Sequence, residues 1–521
     1  VTVSVLYWRT QAVFDPAVHC VPPPGMAGFS ASMALADLDY IAPSQACIKP
    51  EVVRAQRAQG AVGIHGVDAP EPEAIKITLQ DCLACSGCVT TAETMLVTSQ
   101  SRPQIETVFA GADETTPVPW SVVVSVSDQS AASLAAHVGV SMHEAFQLIS
   151  GFARHVLRAN YVTDTRWAQL LSVQQTTQEF LRRVNTGSGP LPLIASTCPG
   201  WVCYVEKTHP DLLPHVCTAM SPLAIAGRYI KQYVAANATR PPADVDPEGV
   251  TAGDLRARTY HISVQPCFDR KLEAARGDFA GEDYARDTDC VLGTQELLDW
   301  MLEVDATLPW RAPLDSAMEP LRPAVEAPSE ATTLEGSGGY HQHIFAEVGR
   351  LVAGTAAPPE AIRYQTKRNA NHRLATVDGI TMPESGKPLI CGVVYGFQHI
   401  QNLARGLKRR MASTPDYAFI EAMACPDGCL NGGAQIRCED RTKHHERLRV
   451  VQAAFEEFTA QASAQAPLGA VAGPFTSASA YRDWIGADAA SQEAAAALTT
   501  TLHDRKAEMA LQDTVAASLK W

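Results

Sequence analysis

Two kinds of hydrophobic pattern alternate along this chain. Short stretches at 121–127 (SVVVSVS), 193–195, 261–264, 389–395 and 418–423 are apolar or small at nearly every position. Their length and β-branched content predict strands buried on both faces. Longer stretches at 130–137, 142–157, 292–304, 343–352 and 398–408 repeat apolar residues three and four apart, which predicts amphipathic helices. Strands alternating with helices predict an α/β fold of two lobes with mainly parallel sheets around a cleft. The first lobe is expected over 116–304 and the second over 339–440. A Pro-, Ala- and Ser-rich linker or insertion at 305–338 separates them, and 236–255 reads as a surface insertion. A polar helix at 439–465, an Ala-rich stretch and a last helix at 511–519 make up a carboxyl-terminal segment over 441–521.

The first part of the chain differs. Residues 26–115 hold only a short helix at 34–41, a strand at 75–79 and a helical turn at 91–96. That is too little core to stand alone, so this unit is expected to fold around a metal site. Residues 1–25 have no clear pattern. Met26 is the expected natural start, and the preceding residues are expected to be a disordered extension.

Length and composition narrow the function. A chain of 521 residues with 46% hydrophobic and 19% charged residues reads as a soluble globular protein of two or three domains. A net charge of −14 with no basic stripe argues against nucleic acid as a partner. No apolar run approaches the roughly 18 residues of a membrane helix, and no secretory pattern opens the chain. Fourteen cysteines in so long a chain do not suggest a disulfide scaffold. Their close spacing points to metal ligation in a reducing compartment, the cytosol.

Cys82, Cys85 and Cys88 form C-x2-C-x2-C. A bacterial ferredoxin run would place its next cysteine at position 92, which is alanine here. The fourth ligand must come from elsewhere, and Cys47, on a loop between two prolines, is the nearest candidate. The tight triple favours an iron–sulfur cube, with tetrahedral zinc as the alternative. A second set, Cys198, Cys267, Cys425 and Cys429, follows predicted strands in both lobes and would converge in the cleft between them. Pro426 suits the first position of a helix that would carry Cys425 and Cys429 on one face. Gly200, Gly428, Gly432 and Gly433 would bring backbone N–H groups toward the sulfurs. The plainer alternative is a pair of buried structural cysteines beside a glycine-rich turn. Cys20, Cys203, Cys217, Cys290, Cys391 and Cys438 default to core packing. His341 and His343 read as a satisfied or exposed pair rather than ligands. No nucleophile-elbow motif supports a hydrolase.

The motifs STCPGW (196–201), QPCFDRKLEA (265–274), EGSGGYHQHIF (335–345) and EAMACPDGCLNGGAQI (421–436) resemble the cluster-binding motifs of iron-only hydrogenases. CIKP (47–50), DCLACSGCVTTAE (81–93) and VYGFQHIQNL (394–403) resemble, more narrowly, the hydrogenase-like proteins called nuclear prelamin A recognition factor-like. The resemblance runs in order from about residue 28 to 440. It implies an iron-only-hydrogenase-like fold with a small amino-terminal cluster unit and two [4Fe–4S] clusters. One would be held by Cys47, Cys82, Cys85 and Cys88, the other by Cys198, Cys267, Cys425 and Cys429. It further implies a role in cytosolic iron–sulfur protein assembly, with some presence in the nucleus. The protein would link scaffold proteins to a targeting complex containing a WD-repeat propeller and help deliver clusters to apoprotein clients. The family often ends in a tryptophan that docks on that complex. This chain ends in Trp521, with Lys520 where an acidic or small residue is usual. Against hydrogenases, Thr197 replaces the proton-relay cysteine, Arg270 a lysine and Asp427 a glycine. The expected role is therefore binding and transfer, with no catalytic residues. An active hydrogenase and a zinc-stabilised adaptor are the alternatives.

Overall fold

The computed structural model describes residues 91–508 except 114–115, 282–284, 313–335, 384, 410, 412–413, 439, 466–483 and 489. The elements predicted at 34–41, 75–79 and 511–519 lie outside the described residues, as do Cys20, Cys47, Cys82, Cys85, Cys88, Lys520 and Trp521.

Helices α1 (Thr91–Ser99) and α2 (Arg102–Phe109) come first. The strands in chain order are β1 (Ser121–Val126), β2 (Tyr161–Asp164), β3 (Leu193–Ala195), β4 (Thr259–Gln265), β5 (Cys290–Gly293), β6 (Arg363–Thr366), β7 (His372–Thr376), β8 (Cys391–Tyr395) and β9 (Phe419–Met423). They form two sheets, ordered β2-β1-β4-β5 and β3-β9-β8-β7-β6.

The first sheet is parallel throughout, with Val124 between Val162 and Ile262. β1 and β4 are buried at every position, as strands covered on both faces must be. After β1, α3 (Asp128–Val138) starts at a Ser127 cap and stops at left-handed Gly139. α4 (Met142–His155) opens with a capping box between Ser141 and Glu144, the S-x-x-E signature written in the sequence.

α5 (Arg166–Thr186) joins the two sheets. At about 1.5 Å per residue it is about 32 Å long. Its first turns put Trp167, Ala168 and Leu171 against Val123 of β1, while Phe180 and Val184 pack beneath the second sheet. Phe180 meets Phe419 of β9 edge to face, with ring centroids 5.8 Å apart. The hydrophobic pattern did not reveal this helix because its buried positions include Gln175, Thr176, Thr177, Glu179 and Arg183. Four of those five side chains are held by hydrogen bonds: Thr176 and Thr177 donate to Ser172 O and Val173 O, and Glu179 pairs with Arg183 at 2.5 Å and accepts the Thr218 N–H at 2.9 Å.

The second sheet departs from expectation in two ways. β3, placed by sequence with the first lobe, pairs in parallel with β9, Leu193 facing Phe419. Only β3, β9 and β8 run parallel; β7 and β6 add an antiparallel hairpin edge. β6 is exposed along its length, so it carried no hydrophobic signal.

The chain leaves β3 through α6 (Pro199–Thr208) and α7 (Pro222–Tyr229), and returns to the first sheet at β4. The 236–255 region is largely exposed, as expected of a surface insertion. α8 (Asp269–Ala274) follows β4, and α9 (Thr294–Val304) follows β5. Leu292 and Gly293, assigned by spacing to a helix, are in β5. α10 (Tyr340–Ala353), α11 (Phe397–Lys408) and α12 (His444–Gln465) match the remaining predicted helices within a few residues, and α13 (Gln492–Leu498) comes last.

Candidate functional site

Cys198, Cys267, Cys425 and Cys429 arrive by four different routes within reach of one another's charge. β3 and β9 are parallel neighbours, so the segments leaving their carboxyl ends emerge side by side. Cys198 follows the first and Cys425 the second. Cys267 follows β4 of the other sheet, and Cys429 lies on the short turn Cys429–Asn431 beyond Cys425. The quartet therefore sits on the seam between the sheets. Charges on the thiols act on one another across the group, Cys198 with Cys429, Cys267 with Cys198 and Cys425, and Cys425 with Cys429. Each of the four is a free cysteine.

The loop after Cys429 is stitched to the first lobe. Ala434 N–H donates to Pro266 O at 2.9 Å, and Gln295 N–H to Ala434 O at 3.0 Å. Gln435 Nε2 donates to Gln129 O at 2.8 Å. Gly432 allows this approach: a Cβ there would lie 2.2 Å from Pro266 O. Gly428 has φ of 77°, and a Cβ on it would fall 2.1 Å from Ser337 Oγ.

The helix expected from Pro426 onward does not form. Asp427 at φ 59° and Gly428 are left-handed and break it, and a short 3-10 turn carries Cys429 instead. The Asp427 N–H is held by Asn371 Oδ1 at 2.6 Å. The expected cysteine-then-proline helix start occurs at Cys198, the N-cap of α6, with Pro199 at the first position. A helix N-terminus carries about half a positive charge, which favours a thiolate there.

Burial raises every one of these thiols, as it must for a group charged only when deprotonated. Cys198 is pushed up to about 12, first by burial and then by Asp269 and Cys429, with the Ala424 and Trp201 N–H groups opposing. Cys267 and Cys425 are pushed well above the ordinary thiol range by burial, with Asp269 and neighbouring thiols adding. Cys429 is raised by burial and relieved by Arg270 and by the Ser337 and Thr197 hydroxyls. At Cys198 the N–H groups that relieve the sulfur are those of Ala424 and Trp201.

Such a set keeps its protons until a metal displaces them. Among the described residues, no three histidine, cysteine or carboxylate side chains close on a single ion position. A four-iron cube takes one thiolate at each of its four irons, which is the number and kind of donor these cysteines offer. The donors fit that group: all are soft sulfurs, with N–H and O–H groups aimed at Cys198 and Cys429.

Beside Cys429 is a cavity of about 30 Å³, lined among others by Thr197, Gln265, Arg270 and Ser337. The Thr197 hydroxyl contacts Met423 Sδ at 3.8 Å. Arg270 is buried and paired with Glu273 at 2.5 Å. Ser337, Glu273 and Asn371 were not foreseen. Ser337 accepts the Cys429 N–H at 3.0 Å, and its place inside the GSGG motif was the available sequence signal.

His341 and His343 are both buried. His341 bonds Glu421 Oε2 at 2.7 Å and Tyr364 OH at 2.7 Å, so it is a satisfied core histidine. Burial holds His343 down to about 4. Cys217, Cys290 and Cys391 are buried as expected, while Cys203 and Cys438 keep partial exposure.

Residues 120–433 match the family described as iron only hydrogenase large subunit, C-terminal domain. The chain is 36% identical over 461 residues to cytosolic iron-sulfur assembly component 3 of Rattus norvegicus, covering 84% of this chain and 91% of that protein. It is also 36% identical over 433 residues to a probable cytosolic Fe-S cluster assembly factor of Drosophila ananassae, covering 79% and 86%. Among solved structures, an [FeFe]-hydrogenase studied for oxygen inactivation superposes with a TM-score of 0.58 at 20% identity, over 78% of this chain and 99% of that one. A HydA(deltaEFG) [FeFe]-hydrogenase structure does so with 0.57 at 23% identity, over 78% and 98%. These structural likenesses establish the fold.

Proposed function

The chain belongs to the iron-only hydrogenase-like family, among its cytosolic iron–sulfur assembly components, and from that premise we propose that it carries two [4Fe–4S] clusters and hands one on to apoprotein clients. Its role is in cytosolic iron–sulfur assembly rather than hydrogen turnover. Among the described residues no helix is long and apolar enough to cross a membrane.

The meeting of Cys198, Cys267, Cys425 and Cys429 on the seam between two sheets is the observation that most supports this reading. Bound there, a cube would supply a one-electron centre and tie the two sheets together. The chain's own part is to hold four thiols at fixed positions, to keep water from Cys198 and Cys267, and to direct the Ala424 and Trp201 N–H groups at sulfur. The second cluster is therefore read as resident. The cargo would be the front cluster, on Cys47, Cys82, Cys85 and Cys88, because Cys47 lies outside the tight C-x2-C-x2-C triple in sequence. Delivery would run through a WD-repeat targeting complex that engages Trp521.

Departures from hydrogenases support the non-catalytic reading. A threonine hydroxyl at position 197 is too weak an acid to relay protons.

Anaerobic purification with iron and sulfide counts tests the assignment. Cys85→Ala is expected to lose the iron of the front site alone. Cys425→Ala is expected to lose the other half and to lower the unfolding midpoint. Full iron with normal stability in the Cys425 variant would rule out the seam cluster, and zinc in place of iron would favour an adaptor. Hydrogen evolution after supply of a two-iron cofactor would restore the hydrogenase reading.

A further inference from the structure

The segment after β4 writes two opposite charges beside the thiol quartet. Asp269 is 2% exposed and raises the cost of negative charge at Cys198, Cys267 and Cys425. The next residue, Arg270, is 6% exposed and its guanidinium attracts charge at Cys267 and Cys429. Arg270 and Cys429 line the same small cavity, with Thr197 and Ser337 between other walls. The guanidinium does not face the quartet with its whole charge. Nη1 donates to Glu273 Oε2 at 2.5 Å, one helical turn further along α8, and the Glu273 side chain is itself 10% exposed.

A buried ion pair is a poor device for stability, since its desolvation cost offsets most of the attraction. A fixed charge in a low-dielectric site does act strongly on whatever charge changes beside it. We propose that Arg270 is a positioning charge for the seam cluster, favouring its reduced state, and that Glu273 sets how much of that charge the cluster feels. This rests on the reading of Cys198, Cys267, Cys425 and Cys429 as cluster ligands. The event it acts on is the entry of one electron from a one-electron donor into the cluster. Arg270 stays protonated throughout, so no proton moves with the electron.

The pair makes the proposal testable by sign. Removing the positive charge disfavours the extra electron and lowers the midpoint potential. Removing the negative one frees Arg270 and raises it. A merely structural pair would behave differently, because both substitutions break the same bridge and would push every property the same way.

The experiment is an EPR-monitored redox titration of the full-length protein, purified anaerobically and reduced with dithionite through mediators. Arg270→Gln should shift the seam-cluster midpoint negative, Glu273→Gln positive, and Arg270→Lys should leave it near wild type. Shifts of one sign in both glutamine variants, or none in either, overturn the proposal. If Arg270→Gln does not fold, Glu273→Gln and Arg270→Lys decide alone: a positive shift in the first with little change in the second supports it, and any other pattern defeats it. A wild type that shows no second cluster signal would refute the ligand assignment instead, so the two failures are distinguishable.

Discussion

Gly432 shows how one missing side chain holds the site together. Its hydrogen lets the Cys429 loop lie against Pro266 O, where a methyl group would clash at 2.2 Å. The obstacle is a backbone carbonyl already bonded to Ala434, so it has little freedom to give way. Gly432→Ala is expected to cost about 1–3 kcal/mol by overpacking and to reduce iron at the seam site, read by urea unfolding and iron counts. Unchanged values would mean the loop reaches Cys429 by another path. His261 is a second residue whose setting has a measurable consequence. It is fully buried between Ser125 Oγ at 2.8 Å and Asp287 O at 3.1 Å, and burial holds its pKa down to about 3. The unfolded chain would take up its proton near the ordinary 6.5, so between these values the unfolded state binds more protons. This contribution is complete above pH 6.5 and is lost as the pH falls toward 3. His261→Gln should flatten the fall in urea midpoint between pH 7 and pH 5, and an unchanged slope would contradict the assignment.

Among the elements, α1 and α8 are joined by an unusual device. Lys271 is 1% exposed, donates to Gln100 O at 2.6 Å and pairs with Glu296 at 2.8 Å. Gln100 Nε2 returns a bond to Lys271 O at 2.7 Å. At the other end of α1, Glu93 meets Lys207 of α6 at 2.6 Å. The helix that directly follows Cys88 in sequence is thus fastened to the two helices that follow Cys267 and Cys198. Lys271→Met keeps most of the side-chain volume but leaves Gln100 O and Glu296 without their cation. Breaking a buried pair costs about 3–5 kcal/mol, and Glu296 is partly exposed, so a loss toward the lower end is expected. Limited proteolysis should then cut first around residues 90–100. A variant cleaved elsewhere at the wild-type rate would show that α1 is held by other contacts.

At the scale of the molecule, α5 and the thiol quartet both bridge the sheets, but they act differently. α5 does so by packing, with Trp167 under one sheet and Phe180 under the other. The quartet does so only when its sulfurs share a metal centre, since four neutral thiols attract each other little. Iron chelation should therefore lower the thermal midpoint of wild type, because a ligand bound only to the folded state adds to its stability. The same treatment should leave Cys425→Ala nearly unmoved. Equal drops in both would place the stabilising metal elsewhere.

The sequence by itself determined much of this protein. Strands such as β1 and β9 were legible because burial on both faces demands an uninterrupted apolar run, and that demand is local. The candidate cysteines stood out because thiols are rare and close Cys spacing is a local pattern. Tertiary structure alone decided three things. It decided that β3 joins β9, because strand partners are chosen by long-range pairing. It decided that α5 is a buried helix, because Glu179 and Arg183 become tolerable inside only once they find each other and Thr218. It decided that Cys198, Cys267, Cys425 and Cys429 lie within reach of one another's charge, because adjacent carboxyl ends of strands from two sheets are a property of the closed fold.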